Sequence, residues 1–185
     1  YDGNPHQEVL VVRDAELDKT LKSGKDYDVS YSTKDFTNVG EITITITGKG
    51  NYTGTFDRTY EITPATLTVT TPSVNKVYDG TPLTADGTIS GFVNNETATF
   101  TTTGSQTEVG NSKNTYSIKW NGTAKSTNYQ ISEAVGTLTV TQQSIDPEDS
   151  ENNYNGVTIN KPSNSVYDGK EHKWSPAVTD KEGNA

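Results

Sequence analysis

The tripeptide Tyr-Asp-Gly occurs three times in this chain, at residues 1–3, 78–80 and 167–169. Longer phrases surround it. ATLTVTTPSVNKVYDG (65–80) has a shorter echo in NGVTINKPSNSVYDG (155–169), and TNVG (37–40) returns as TEVG (107–110). GNYTGTF (50–56) corresponds loosely to TNYQIS (127–132), and YEITPATLTV (60–69) to YQISEAVGTLTV (129–140). Landmarks that keep their order while loop lengths change mark tandem copies of one small fold. The boundaries read as 1–64, 65–142 and a shortened third copy with its linker from 143 to 185. The first and third copies share a histidine at the same offset from the tripeptide, His6 and His172, so the order is type A, type B, type A. The first copy lacks an equivalent of the 65–71 opening strand, and the third stops before its central strands.

Within each copy the apolar residues alternate. EITITITG (41–48) puts Ile42, Ile44 and Ile46 on one face and Thr or Glu on the other, and DYDVSYS (26–32) does the same with Tyr27, Val29 and Tyr31. NTYSIKWNGT (114–123) alternates Tyr116, Ile118 and Trp120, then reaches Asn121-Gly122, a pair that favours a type I′ hairpin turn. DAELDKTLKSG (14–24) allows at most one helical turn. The expectation is all-β, as tandem small immunoglobulin-like sandwiches.

Composition bears on whether such copies fold. Leu, Ile, Val and Phe make up only 34 of 185 residues and the net charge is −9, close to the range of disordered chains. Ten Tyr and two Trp, with the alternation, compensate by supplying large apolar area per residue. With 15 basic against 24 acidic residues and no basic cluster, nucleic acid and anionic lipid are disfavoured partners. There is no run of 18 apolar residues, so direct membrane insertion is not expected. The absence of Cys excludes disulfides and thiolate chemistry.

The tripeptide itself reads as architecture. Tyr covers a sheet edge, Asp accepts a turn hydrogen bond, and Gly takes a backbone angle that other residues avoid. No HxH, HExxH or GxSxG occurs, so neither a metal nor a cofactor nor a catalytic residue is expected. The acidic run SIDPEDSENN (144–153) could offer Asp146, Glu148, Asp149, Glu151 and Asn152 to a junctional Ca²⁺, but a solvated linker is the commoner meaning. Asn51, Asn95 and Asn121 head glycosylation sequons and read as turn residues. Stacking against a sugar would use an aromatic face; Trp120 and Trp174 are the candidate ligand-binding residues, whereas Tyr52 and Tyr129 recur at matching positions and read as core.

DYDVSYS, TNVGEITITITGKGNYTGTF and KVYDGTPLTADGTISGF resemble the tandem Ig-like MBG-type or YDG-containing repeats of Gram-positive cell-surface adhesins. That resemblance implies a secreted or wall-attached protein whose repeats form a stalk or touch mucin or other host glycans, with neighbouring repeats of the same chain as further partners. The alternative is a carbohydrate-binding accessory region of a large secreted glycosidase. It also raises Lys–Asn isopeptide cross-links, for which Lys76, Lys113, Lys119 and Lys125 are present without a pairing motif. The incomplete ends suggest strand exchange between molecules.

Overall fold

The structure is a computed structural model, and it describes residues 1–146, 149, 158–159, 162, 164–175 and 177–179. The chain is all-β. Its strands are β1 (Arg13–Asp14), β2 (Lys19–Thr20), β3 (Tyr27–Tyr31), β4 (Gly40–Gly48), β5 (Thr55–Ile62), β6 (Ala65–Thr71), β7 (Val74–Val77), β8 (Thr88–Ser90), β9 (Thr99–Thr102), β10 (Gly110–Lys113), β11 (Tyr116–Lys119), β12 (Tyr129–Val135), β13 (Thr137–Thr141), β14 (Thr158–Ile159) and β15 (Val178–Thr179). Short 3₁₀ turns occupy Val93–Asn95 and Ser126–Asn128.

Contacts gather the chain into two compact units. One comprises Tyr1–Val69, Ile89–Phe100 and Ile118–Glu133; the other comprises Thr70–Thr88, Thr101–Ser117 and Ala134–Ala185.

In the first unit β3, β4 and β5 form an antiparallel sheet in that order. The alternation of EITITITG is realised at its centre: Ile42 and Ile44 are buried and Ile46 half-buried, while Thr43 and Thr45 are half-buried and Thr47 is exposed. Tyr27, Val29 and Tyr31 stand beside them, opposite Gly48, Ile46 and Ile44. Residues 13–20 form a two-stranded hairpin rather than a helical turn. Asp14 accepts the Glu16 and Leu17 N–H groups at 3.1 and 3.0 Å, and Asp18 takes φ of +46°, so the loop closes on a carboxylate cap.

In the second unit β10, β13 and β7 form a mixed sheet, with β10 antiparallel and β7 parallel to the central β13. Leu138 and Val140 of β13 are almost fully buried. Asn114 is fully buried as well and donates from Nδ2 to the Pro72 and Ala85 carbonyls at 3.1 and 3.0 Å, tying two loops to the end of β10. Gly136 is required here: a Cβ would lie 2.3 Å from the Pro72 carbonyl.

The registers of the two sheets align the copies more closely than the sequence does. Gly40 of TNVG faces Ile62, and Gly110 of TEVG faces Val140. Thr59–Thr63 therefore corresponds to Thr137–Thr141, which moves the equivalent of the closing strand away from the YEI/YQI match that the sequence suggests. Asn121-Gly122 does not form the expected type I′ hairpin. Positive φ is absent at both residues, and β11 pairs with β9. The Thr97 carbonyl would meet a Cβ on Gly122 at 2.2 Å, so that glycine serves close approach rather than a left-handed turn. Positive φ falls instead on Asn94 and Asn95, at +49° and +58°.

Candidate functional site

The three Tyr-Asp-Gly tripeptides build the same turn. In each, the aspartate Oδ1 accepts the backbone N–H two residues on, from Asn4, Thr81 and Lys170, each at 2.9 Å. The glycines sit at φ of +77°, +75° and +77° for Gly3, Gly80 and Gly169, where any side chain is strained. A basic side chain covers every carboxylate. His6 Nε2 lies 2.7 Å from Asp2, His172 Nε2 lies 2.8 Å from Asp168, and in the type B copy Lys76 Nζ lies 2.6 Å from Asp79. The two histidines thus share one structural role, as their matched offsets predict. Lysine, two residues before the tyrosine, takes it over where histidine is missing, a substitution the sequence shows only once the pairing is known.

These contacts hold the carboxyls acidic. The Asn4 N–H, then His6, brings Asp2 to about 2; Lys76, then the Thr81 N–H, brings Asp79 to about 2; His172 lowers Asp168. The turn is also pinned to the closing strand. The Tyr78 N–H donates to Thr141 O at 2.9 Å, and the Tyr1 nitrogen bonds to Thr63 O, the equivalent carbonyl.

In the first unit the tyrosine of the leading tripeptide enters a cluster made by residues of the second copy. Leu67, Ala124 and Tyr129 form its buried centre, with Tyr1, Ala65, Ile89, Phe92 and Trp120 packed around them. Tyr1 and Phe92 meet the Tyr129 ring edge-on at 5.6 and 5.7 Å between centroids, and Trp120 stacks on it at 6.1 Å. Glu96 closes the cluster: Tyr129 Oη donates to one carboxylate oxygen at 2.6 Å, and Tyr1 Oη donates to the other. The Val93 N–H donates in turn to Tyr129 Oη at 3.0 Å. Burial, then Glu96, pushes the Tyr129 hydroxyl up to about 12; the bond to Glu96, then burial, raises that of Tyr1.

A second contact in this unit is polar. Asn128, 1% exposed, donates from Nδ2 to Asn38 Oδ1 at 2.8 Å and accepts the Val39 N–H at 3.0 Å. Lys125 Nζ reaches the same Asn38 oxygen at 3.3 Å, and Asp35 accepts from the Asn38 amide. Lysine, asparagine and acid thus stand in the order an isopeptide link needs. The chemistry they offer is different: Lys125 and Asp35 are exposed, and the Asn38 amide, with two backbone N–H groups, brings the Asp35 carboxyl to about 2, so it has no proton to give the departing amine.

Of the two candidate sugar platforms, Trp120 is half-buried with one face on Tyr129, while Trp174 is 47% exposed and borders an open cavity with Glu171, His172 and Lys173. They fall in different units. Tyr129 is buried; Tyr52 is half-buried, with its hydroxyl 3.2 Å from Asp14. Of the acidic run, Glu148, Glu151 and Asn152 lie outside the described residues.

Turn, closing strand and glycine register recur in the first and second copies. Residues 67–139 match the MBG domain (YGX type). This MBG match takes in Tyr78-Asp79-Gly80, Glu96 with Phe92, Trp120 and Tyr129 of its cluster, and most of β13, and it is consistent with an MBG/YDG-type repeat module of surface proteins. No curated protein and no solved structure matches the chain. The residues that sequence reasoning misses are Glu96, Asn38 and Asn128, single polar residues whose partners lie far away along the chain.

Proposed function

We propose that this chain is a non-enzymatic repeat region of a bacterial cell-surface protein, exposed outside the cell and attached to the wall of a Gram-positive organism. Its copies act as the stalk or adhesive segment of an adhesin. The supporting observation is the MBG match at 67–139 together with a turn rebuilt identically at all three tripeptides. Successive copies that dock through fixed tyrosine and asparagine contacts resist bending at their junction, which a projecting segment needs. Where the repeats themselves adhere, mucin or another host glycan is the ligand class.

The exposed ring of Trp174 favours a second reading, an accessory carbohydrate-binding region of a secreted glycosidase. Binding of the purified chain to mucin and a broad glycan panel separates a glycan-binding role from a purely structural stalk. Saturable binding lost in Trp174→Ala supports a sugar-binding module; absence of binding by folded protein supports a stalk; hydrolysis of a panel glycan would overturn the non-enzymatic reading.

A further inference from the structure

We propose that Asn121 is a self-modification site: in the folded chain the Gly122 backbone nitrogen closes on the Asn121 side-chain amide, converts it through a cyclic imide to aspartate or isoaspartate, and so unlaces this turn from Thr97. The proposal reaches beyond a stalk or adhesive role, because it assigns a covalent change to one residue inside the second copy.

Asn121-Gly122 forms no type I′ hairpin, and no ladder holds it. β11 ends at Lys119, the next 3₁₀ turn begins at Ser126, and both residues of the pair are exposed. Among the described residues the Gly122 N–H donates to no acceptor. The amide it would attack is held by its oxygen: Thr99 Oγ1 donates to Asn121 Oδ1 at 2.8 Å. A hydrogen bond there draws charge from the carbonyl carbon and stabilises the oxyanion that an attacking nitrogen raises. Gly122 brings no side chain to hinder that attack, whereas Asn51 and Asn95, the other sequon asparagines, precede Tyr52 and Glu96.

The step balances with hydroxide and water as the only co-reactants. Hydroxide takes the Gly122 amide proton, the nitrogen bonds to Asn121 Cγ, and the Cγ–Nδ2 bond breaks with release of ammonia. Water then opens the imide. Cleavage between the Gly122 nitrogen and Cγ leaves aspartate; cleavage between that nitrogen and the Asn121 main-chain carbonyl leaves isoaspartate, in which the backbone runs through the former side chain.

The surroundings make the change felt. Thr97 O stands where a Cβ on Gly122 would come within 2.2 Å, and it accepts the Ala124 N–H at 3.0 Å. The Thr97 N–H donates in turn to Thr123 Oγ1 at 3.0 Å. Ala124 lies in the buried centre formed with Leu67 and Tyr129, and Trp120 packs against it. Isoaspartate lengthens the backbone between Trp120 and Gly122, so Gly122 cannot keep its close fit to Thr97 while Ala124 keeps its bond to the same carbonyl.

The test incubates the intact, folded chain in mildly alkaline buffer made with heavy-oxygen water, beside a synthetic peptide of residues 119–125, KWNGTAK, and follows both by peptide mapping. Asn121 should convert in the folded chain at least as fast as in the peptide and take up heavy oxygen, while Asn51 and Asn95 keep their amides. Thr99→Val should slow conversion in the folded chain at least threefold. In the converted chain the Ala124 N–H should lose its protection from hydrogen exchange. Slower conversion in the folded chain than in the peptide overturns the proposal. So does an Asn121 free of heavy oxygen, a Thr99→Val rate equal to the parent's, or full protection of Ala124 after conversion.

Discussion

Tyr1 meets Tyr129 edge to face, 5.6 Å between ring centroids, and the two hydroxyls take opposite oxygens of one carboxylate. Glu96 therefore joins a residue of the first copy to the centre of the second. Hydrogen bonds to a charged acceptor contribute about 2 kcal/mol each when water is largely excluded. Glu96→Gln should lower stability by about that amount, measured by urea unfolding. Tyr1→Phe in the Glu96→Gln background should cost less than in the parent, because the two changes remove a shared interaction.

The same cluster predicts an alkaline limb. Tyr129 ionises near 12 when folded and near 10 when unfolded, so between those values the folded state holds more protons. Its contribution is complete below pH 10 and lost as pH rises from about 10 to about 12. Melting temperature against pH should fall across that window, and Tyr129→Phe should flatten the fall.

At the acid end the sign reverses. Asp2, Asp35 and Asp79 are held at about 2 against an ordinary 3.8, so their contribution is present above about 4 and lost as pH falls toward 2. Asp79→Asn should make that acid limb shallower. Lys76→Met should do the same, since Lys76 is the first cause of the shift at Asp79.

The tryptophans should separate cleanly. Trp120→Ala removes a ring stacked on Tyr129 and should cost about 2 kcal/mol, less than a fully buried aromatic, whereas Trp174→Ala should leave the melting temperature unchanged. Calorimetry on the two variants decides it.

Because Asp35 is ionised beside Lys125 and Asn38, these side chains should remain joined by hydrogen bonds alone. Intact mass should equal that of the unmodified sequence. A loss of one ammonia would show a covalent link.

What could be read in advance follows from the range of each interaction. Alternation in EITITITG and DYDVSYS reports a local period, and β4 and β3 follow it. The turn role of Tyr-Asp-Gly is equally local, since Asp79 bonds two residues ahead and Lys76 three residues behind. Asn121-Gly122 misled because a close carbonyl, Thr97 O, decides its conformation from a distant strand end. Glu96 and Asn128 were invisible for the same reason: a lone polar residue gives no pattern, and their worth comes from partners that only the folded chain brings near.

The parallel pairing of β7 with β13 has a mechanical consequence. One strand lies near the start of the second copy and the other at its close, and four residue pairs, Val74 to Val77 against Leu138 to Thr141, bind them side by side. Tension transmitted along the backbone would drag these strands past each other lengthwise, so that the ladder is strained as a whole instead of being peeled open one bond at a time. A module laced in this way yields late under pull, and the three residues that follow β7 in the chain, Tyr78, Asp79 and Gly80, mark the end of the lacing.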